Sequence, residues 1–346
     1  MAKTLRYITK KNRFFNIDEK VIVELLPIGT AVGSGGSDDH LGVYVDDQLK
    51  KTIGFDVSNV ILTSGDGLRA GGLHSLHFAI MSGSDSGGRS AVANTGGTTE
   101  KIYVKMNPIL VDPAGRGKAT SISGAIDFVK TLADPTAGHM ISVKDGTYPV
   151  YSPIDLKGCD NIKIFGRSRD ASKVIISGSA SSPPSSLITI SHSASLAYMT
   201  FKNSTSSTVN CYSGSVEHTV FAENLIIEDA FDPFQRIAAK SELRRLVIRR
   251  CDYGLRSYDA AQCCYLLIHD INTRDAPSTG GASNSYGIRA SAGGTIQNIT
   301  VYNITGAYGI DAPGGTVRNC IVSNCSLTVH GIKASYYKRN LVYDIS

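Results

Sequence analysis

The last two-thirds of the sequence consist of short runs in which apolar and polar residues alternate, separated by turn-forming residues. Alternation with a period of two predicts half-buried β-strands, and the runs are too short for helices. One pattern, a polar residue followed by strand-forming residues, returns along the chain. It occurs as Asn224-Leu225-Ile226-Ile227, Arg245-Leu246-Val247-Ile248, Tyr265-Leu266-Leu267-Ile268, Asn298-Ile299-Thr300-Val301, Asn319-Cys320-Ile321-Val322 and Asn340-Leu341-Val342-Tyr343, and more loosely as Tyr198-Met199-Thr200-Phe201 and Asn161-Ile162-Lys163-Ile164.

The repeat has a nearly constant length. From Met199 to Leu341 the successive steps are 26, 21, 20, 33, 21 and 21 residues, and the longest step contains an insertion at 273–285 that we predict to be a loop. A second echo reads Gly254-Leu255-Arg256-Ser257, Gly287-Ile288-Arg289-Ala290, Gly309-Ile310-Asp311-Ala312 and Gly331-Ile332-Lys333-Ala334. Two strands and no helix in such a short repeat predict a parallel β-solenoid, in which each coil stacks on the next. Leucine-rich repeats share the length, but their fixed leucine frame is not sustained here.

The recurring asparagines have a structural and a functional interpretation. Stacked amides at the coil spacing of roughly 4.8 Å can hydrogen-bond to one another and form a ladder. The alternative is a sugar-binding strip. We assign the predicted ladder to Asn161, Asn224, Asn298, Asn319 and Asn340. A second polar column at the strand ends is interpreted either as a solvated edge or as a broken ladder, and it comprises Asn203, Asp229, Arg250, Asp270, Asn303 and Asn324.

Two further segments precede the repeats. Apolar residues at helical spacing predict one amphipathic helix around 121–132, with Ser121 or Thr120 as its amino-terminal cap, and such a helix could cover the open end of the solenoid. Residues 1–106 lack the repeat and read as strands separated by Gly/Ser/Asp loops, so we predict a small β-sandwich or barrel. The boundary between these domains is placed near Asn107, with the solenoid occupying 107–346. The predicted amino-terminal strands are VIVELL (21–26), LGVYV (41–45), VSNVILT (57–63), LHSLHFAIM (73–81) and KIYVKM (101–106).

Composition agrees with a turn-rich β protein: 35 of 346 residues are glycine, charged residues make up 19%, and Trp is absent. A net charge of +5 is too small to indicate nucleic-acid binding. The seven cysteines show no paired metal spacing and lie mostly in apolar runs, so we expect buried free thiols in a reduced compartment. The sequence shows no secretory signal and no apolar run long enough to insert into a membrane.

The start of the repeat region carries a recognisable series of motifs. A Gly-rich stretch and the predicted helix are followed by Val-Lys-Asp-Gly-Thr-Tyr (143–148), Asn-Ile-Lys-Ile-Phe-Gly (161–166) and Val-Ile-Ile-Ser-Gly (174–178). This order resembles the pectin-lyase-like superfamily of pectin esterases, pectate lyases, polygalacturonases and phage tailspikes. The resemblance covers roughly 107–346 and implies an all-β chain, with a right-handed single-stranded parallel β-helix after the small β module. The catalytic patterns of those enzymes are not evident; the esterase Gly-x-Tyr-x-Glu ends in Val150 here.

Acidic residues offer a candidate catalytic site. Glycosidases need two carboxylates roughly 5–10 Å apart, which residues on neighbouring coils can supply. The densest acidic patch is Glu228, Asp229 and Asp232, and these would be the catalytic residues if the protein cleaves sugar. The simpler interpretation is a set of solvated edge and turn acids. Residues predicted to contribute to binding are Asp252, Asp270, Arg274 and Asp275.

No cofactor or metal is predicted. Gly115-Arg116-Gly117-Lys118 fails the phosphate-loop pattern and is expected to form a turn. His74 and His77 have no third ligand in view, so we expect ordinary strand histidines.

A separate β module followed by a β-helix, without an export signal, resembles phage tailspikes and virion fibres. We therefore expect a virion protein made in the host cytoplasm, assembled as a homotrimer, that contacts other virion proteins through 1–106 and host surface polysaccharide through the β-helix. The alternative is a polysaccharide lyase or glycoside hydrolase. A third hypothesis is a scaffold that self-assembles through its solenoid ends.

Overall fold

The chain folds into two compact units, Met1–Ile109 with Thr131–Met140, and Leu110–Lys130 with Ile141–Ser346. Each unit is described by itself. The computed structural model describes residues 20–24, 39–53, 59–82, 102–105, 107–132, 134–179, 181–213, 216–235, 237–238, 240–257, 262–272, 286–290 and 294–346.

The first unit is antiparallel β structure. Its strands are β1 (Lys20–Glu24), β2 (Asp39–Val45), β3 (Gln48–Ile53), β4 (Asn59–Thr63), β5 (Leu73–Ser82) and β6 (Ile102–Lys105), with a 3-10 turn at Ser64–Asp66. Strand β1 pairs with β4, and the other four form a sheet in the order β3-β2-β5-β6. The β2–β3 hairpin turns at Asp46 and Asp47, whose φ values of 50° and 65° are those of the tight turns that match strand twist.

Strand β3 was missed by the sequence prediction for a physical reason. Its sequence QLKKTI places two lysines side by side and lacks a clear apolar face, and Leu49 is exposed. β3 lies at the edge of its sheet, where lysines discourage pairing with another chain.

The second unit is a parallel β-helix, which confirms the predicted fold class. It contains one helix, α1 (Ile122–Lys130), inside the predicted range; Ser121 Oγ accepts a hydrogen bond from Gly124 N at 3.0 Å and so caps the helix. Its strands are β7 (Ile109–Val111), β8 (Met140–Val143), β9 (Gly146–Val150), β10 (Ile154–Asp155), β11 (Ile162–Gly166), β12 (Val174–Gly178), β13 (Ser186–Thr189), β14 (Ala194–Asn210), β15 (Tyr212–Ser213), β16 (Val216–Glu217), β17 (Val220–Gln235), β18 (Glu242–Arg244), β19 (Val247–Arg249), β20 (Leu255–Ser257), β21 (Gln262–Cys264), β22 (Leu267–Asn272), β23 (Tyr286–Ala290), β24 (Thr295–Gln297), β25 (Thr300–Arg318), β26 (Ile321–Lys338) and β27 (Leu341–Ile345).

Each coil contributes to three parallel ladders, which we name sheets one, two and three in chain order. The stacked core residues of sheet one are Ile164, Leu196, Ala222, Leu243, Cys263, Ile296 and Val317. Those of sheet two are Ile176, Phe201, Ile227, Ile248, Ile268, Val301 and Val322. Those of sheet three are Ile188, Val209 and Phe234, followed by Leu255, Ile288 and Ile310. All of these side chains are buried, so the core is a column of like residues in register.

Left-handed residues bound the strands of sheet two from the coil of Phe201 onwards, five positions apart. The residues that precede the strands are Tyr198, Asn224, Arg245, Tyr265, Asn298, Asn319 and Arg339, with φ between 51° and 59°. The residues that follow them are Asn203, Asp229, Arg250, Asp270, Asn303, Asn324 and Asp344, with φ between 48° and 61°. Asn and Asp tolerate this conformation better than other residues with a side chain, which explains much of the repetition of Asn in the sequence.

The predicted asparagine ladder therefore needs correction. Asn161 precedes a strand of sheet one, because Ile162 pairs with Ala194. Asn340 lies one position beyond the column, because Ile321 pairs with Leu341. The two predictions failed because the sequence repeat does not by itself fix the register of the outermost coils.

All seven cysteines are free and buried, as expected for small apolar side chains. In the part of the chain that the structure describes, no helix has the length and apolarity needed to cross a membrane.

Candidate functional site

The predicted acidic patch lies where sheet two ends. Glu228 and Asp229 are in register with Arg249 and Arg250 on the next coil. Arg249 Nη2 lies 2.7 Å from Glu228 Oε2, and Arg250 Nη2 lies 2.8 Å from the same oxygen. Arg250 also donates from Nε to Asp229 Oδ1 at 2.8 Å and from Nη2 to Asp229 Oδ2 at 3.1 Å. The structure thus brings together two predicted carboxylates and two arginines that the sequence prediction did not include as partners.

The contact between Arg250 and Asp229 affects the protonation of both groups. The hydrogen bond from Arg250 holds the pKa of Asp229 below its ordinary value, and the same contact raises the pKa of Arg250. A carboxylate that stays ionised cannot donate a proton to a leaving group, as a general acid must. Glu228 shares both arginines, so the geometry describes a stabilising ion cluster rather than an acid–nucleophile pair.

Asp232, the third predicted catalytic residue, lies apart from this cluster. It belongs to sheet three, in register with Ser207, and only 2% of it is exposed. Ser207 is itself hydrogen-bonded to Ser186 at 2.9 Å, so this carboxylate sits in a buried polar stack. The prediction grouped Asp232 with Glu228 because the two are close in sequence. A pattern of apolar residues does not show that the chain turns between them, at the left-handed residue Asp229.

The predicted binding residues are also separated. Asp270 continues the column of Asp229: its carboxylate accepts hydrogen bonds from Asn303 and His269, which lower its pKa, with the Asn303 contact the larger cause. Asp252 lies at the following turn, where its backbone N–H donates to Ala230 O at 3.0 Å. Arg274 and Asp275 lie outside the described residues.

The asparagine columns have mixed chemistry. In the column before sheet two, Asn319 donates to Asn298 at 3.1 Å, which forms one amide–amide rung. The neighbours of Asn224 in this column are Tyr198 and Arg245, which are not asparagines. Off the column, Asn340 accepts from Cys320 N at 2.9 Å and donates to Val317 O at 3.0 Å. These asparagines occupy left-handed turn positions or hydrogen-bond to backbone groups. They do not line up as a strip for a ligand.

The histidines of the first unit have structural partners. His74 is 1% exposed, contacts Asp46 Oδ2 at 2.8 Å through Nδ1 and accepts Arg69 N–H at 3.1 Å through Nε2. His77 stacks on Tyr44 with ring centroids 4.6 Å apart. Among the described residues, no group of three or more His, Cys, Asp or Glu side chains is placed to hold a metal ion.

Sequence reasoning missed a second cluster, on sheet three. Tyr286 and Tyr308 are stacked with ring centroids 5.4 Å apart, and Arg289, Asp311 and Lys333 follow one another in register three residues further on. The signal was present in the second echo, in which Gly-Ile is followed by Arg, Asp or Lys. It was read as strand periodicity alone, because a variable charge after a constant apolar residue is also typical of a solvated face.

Comparison with known proteins gives little further definition. No protein-family model matches the sequence, and no curated protein matches it. The chain is similar to the solved structure of the deglycosylated pectin methylesterase from Aspergillus niger, with 14% identity, a TM-score of 0.31, and coverage of 68% of this chain and 85% of that chain. The description of the fold as a parallel β-helix rests on the strand pairing itself.

Proposed function

We propose that this chain is a virion structural protein of the tailspike or fibre type, and that its β-helix recognises polysaccharide on the host surface. The observation that supports this function best is the pair of outward rows that ends sheet two. They are formed by Lys202, Glu228, Arg249, His269 and Tyr302, and by Asn203, Asp229, Arg250, Asp270 and Asn303. Such rows present hydrogen-bonding groups at each coil along a rigid face, as an extended polymer requires.

The geometry favours binding over cleavage at this face. Both carboxylates that could have formed a glycosidase pair are held by Arg250, whose guanidinium contacts Glu228 and Asp229 together. The pKa of Asp229 is held below its ordinary value by Arg250, so this carboxylate is a poor general acid. The alternative is a polysaccharide lyase or glycoside hydrolase, and the following experiment would detect its products.

The test uses purified capsular polysaccharide and lipopolysaccharide from candidate hosts. Immobilised glycans are exposed to the protein, and binding is measured by biolayer interferometry while the supernatant is assayed for new reducing ends and unsaturated uronate. We expect saturable binding without release of product. Product formation that is lost in Asp229→Asn, with folding intact, would instead establish the enzyme.

The virion role is tested separately. We propose that residues 1–106, which include the antiparallel module, attach the chain to other virion proteins. Mass spectrometry of purified particles should find the protein at a fixed stoichiometry. A variant lacking 1–106 should fold its β-helix yet be absent from particles; its incorporation at the normal level would count against this attachment.

We propose a homotrimer as the assembled state. The outward side of sheet two carries a mainly apolar row, interrupted by one threonine: Ile226, Val247, Leu267, Thr300, Ile321 and Leu341. Ile321 and Leu341 are 36% and 54% exposed, and burial of such a row between copies would remove apolar surface from water. One chain has a mass of 36.8 kDa, and light scattering should give three times that value. Ile321→Asp should shift the protein towards monomer.

The cysteines support synthesis in a reducing compartment such as the host cytoplasm. Seven buried thiols without a disulfide are typical of proteins that fold where thiols stay reduced.

A further inference from the structure

We infer that the outer surface of sheet three, at Tyr286, Tyr308, Arg289, Asp311 and Lys333, binds an acidic saccharide, a sugar chain that carries carboxylates. This inference rests on the proposed recognition of polysaccharide. It adds to that recognition a second binding surface and a ligand class, on a different sheet from the rows described above.

The first element of this surface is an aromatic column. Tyr286 pairs with Tyr308, and Tyr308 with His330, on successive coils. The tyrosine rings are nearly parallel, with an interplanar angle of 7°, and His330 meets Tyr308 edge-on at 6.0 Å. Tyr286 is only 5% exposed, so the accessible ring is that of Tyr308, whose apolar face and hydroxyl suit the mixed surface of a sugar.

The second element is a row of charges beside the aromatic column. Arg289, Asp311 and Lys333 occupy equivalent positions on three consecutive coils. The Arg289 guanidinium carbon lies 4.8 Å from the Tyr286 ring centroid, and Lys333 Nζ lies 5.6 Å from the Tyr308 centroid. Both cations are therefore positioned over aromatic rings, by contacts that leave their N–H groups able to donate.

The third element is unmet hydrogen bonding. Asp311 is 4% exposed, yet its Oδ1 is buried and has no hydrogen-bond partner within the described part of the chain. Arg289 Nε is buried and lacks one too, because the nearest carboxylate oxygen, Asp311 Oδ2, is 3.7 Å away. A buried polar group left unpaired is unfavourable, so an adjacent donor and acceptor in this state indicate a site that a ligand completes.

The balance of charge selects the ligand class. Two cations face one carboxylate here, so the cluster retains a formal charge of +1 from Arg289, Lys333 and Asp311. On sheet two the charges balance instead, because Arg249 and Arg250 are paired with Glu228 and Asp229. A sugar carboxylate can pair with Arg289 and Lys333, while neighbouring hydroxyls donate to Asp311.

The experiment compares variants that remove a positive charge from sheet three and from sheet one. Oligomers of galacturonate, of mannuronate and of neutral glucose are titrated into the full chain by isothermal calorimetry at low and moderate salt. Arg289→Gln and Lys333→Gln remove one cation each from the inferred site, and Arg244→Gln on sheet one, where Arg244 pairs with Glu242 outside both proposed binding surfaces, is the control. Circular dichroism and urea midpoints establish that each variant folds.

We expect the native chain to bind a uronate oligomer and not the neutral one, with affinity that falls as salt rises. Arg289→Gln and Lys333→Gln should each weaken binding about tenfold or more, since each removes a charge-assisted hydrogen bond to the sugar carboxylate. Arg244→Gln should bind within about twofold of the native chain.

Four results would overturn the inference. If uronate binding is weakened equally or more by Arg244→Gln, or if neutral and acidic oligomers bind alike, the site or the ligand class is wrong while polysaccharide recognition stands. The same holds if the native chain binds host polysaccharide but no uronate. If it binds neither, the proposed function fails together with this inference.

Discussion

A column of glycines at the start of sheet three gives a sharp test of the stacked architecture. A Cβ added at Gly309 would lie 2.5 Å from Val322 Cγ1 and 2.6 Å from the carbonyl oxygen of Gly331. Val322 is fully buried, and the carbonyl belongs to the next strand, so neither neighbour can move without disturbing the ladder. We therefore expect Gly309→Ala to destabilise the β-helix.

The magnitude follows from two opposing contributions. Forcing a methyl into a packed core costs about 1–3 kcal/mol. Replacing glycine stiffens the unfolded chain and offsets about 0.4–1 kcal/mol of this cost. The net loss for Gly309→Ala should be about 1–2 kcal/mol.

Gly331→Ala is the matched control at the equivalent position one coil later. Its added Cβ would meet only the Val342 side chain, at 2.5 Å from Cγ1, and Val342 is 45% exposed and able to shift. Its cost should stay below about 1 kcal/mol, because an exposed neighbour yields more readily than a packed core does. Adding Val342→Ala should remove the cost that remains.

Urea denaturation followed by far-ultraviolet circular dichroism measures both changes, because the free energy of unfolding falls linearly with denaturant. The loss for Gly309→Ala should exceed that for Gly331→Ala. Equal urea midpoints for the two variants, or a larger loss for Gly331→Ala, would refute the close packing of Gly309 against Val322.

Three further expectations concern titratable groups. Burial raises the pKa of Cys251 and Cys263 to about 12, so Ellman's reagent should leave both unmodified in the folded protein at pH 8; rapid reaction of all seven thiols would contradict their burial. Burial lowers the pKa of His139 below 6.5, so its contribution to stability is complete above pH 6.5 and is lost as pH falls below that value; His139→Gln should flatten this part of a plot of urea midpoint against pH. Arg250→Gln should lower stability by under about 1 kcal/mol, because Asp229 is 41% exposed, and the loss should shrink in high salt; a salt-independent loss would point to packing instead.

The sequence was most informative for sheet two. Its strands place a polar left-handed residue before a run with two buried apolar positions, as in Leu225 and Ile227, and that pattern repeats strongly enough to predict coils. The strands of sheet one were not predicted as a separate ladder. Several of its strands bury a single apolar residue between polar ones, such as Leu243 or Ile296, and one apolar residue gives no periodicity.

The site was harder to predict than the fold for a related reason. Alignment of the repeats could place Asp229 beside Arg250, but not show that their side chains meet, since neighbouring coils can also splay outward charges into solvent. The cluster at Arg289 and Asp311 depends on burial of the Asp311 carboxylate, which the repeated strand pattern does not reveal. Side-chain burial depends on the packing of several coils, and a linear pattern does not contain it.

The left-handed pairs that bound sheet two also make the coils exchangeable units. The block between the paired residues keeps one length in every coil, from Tyr198–Asn203 to Arg339–Asp344, whereas the segments between blocks vary and include the insertion at 273–285. Two chains cut at equivalent left-handed residues can be rejoined without changing the register of sheet two. Excision of one coil between Asn298 and Asn319 should thus yield a shorter β-helix of the same cross-section, and insertion of a copied coil at that point a longer one.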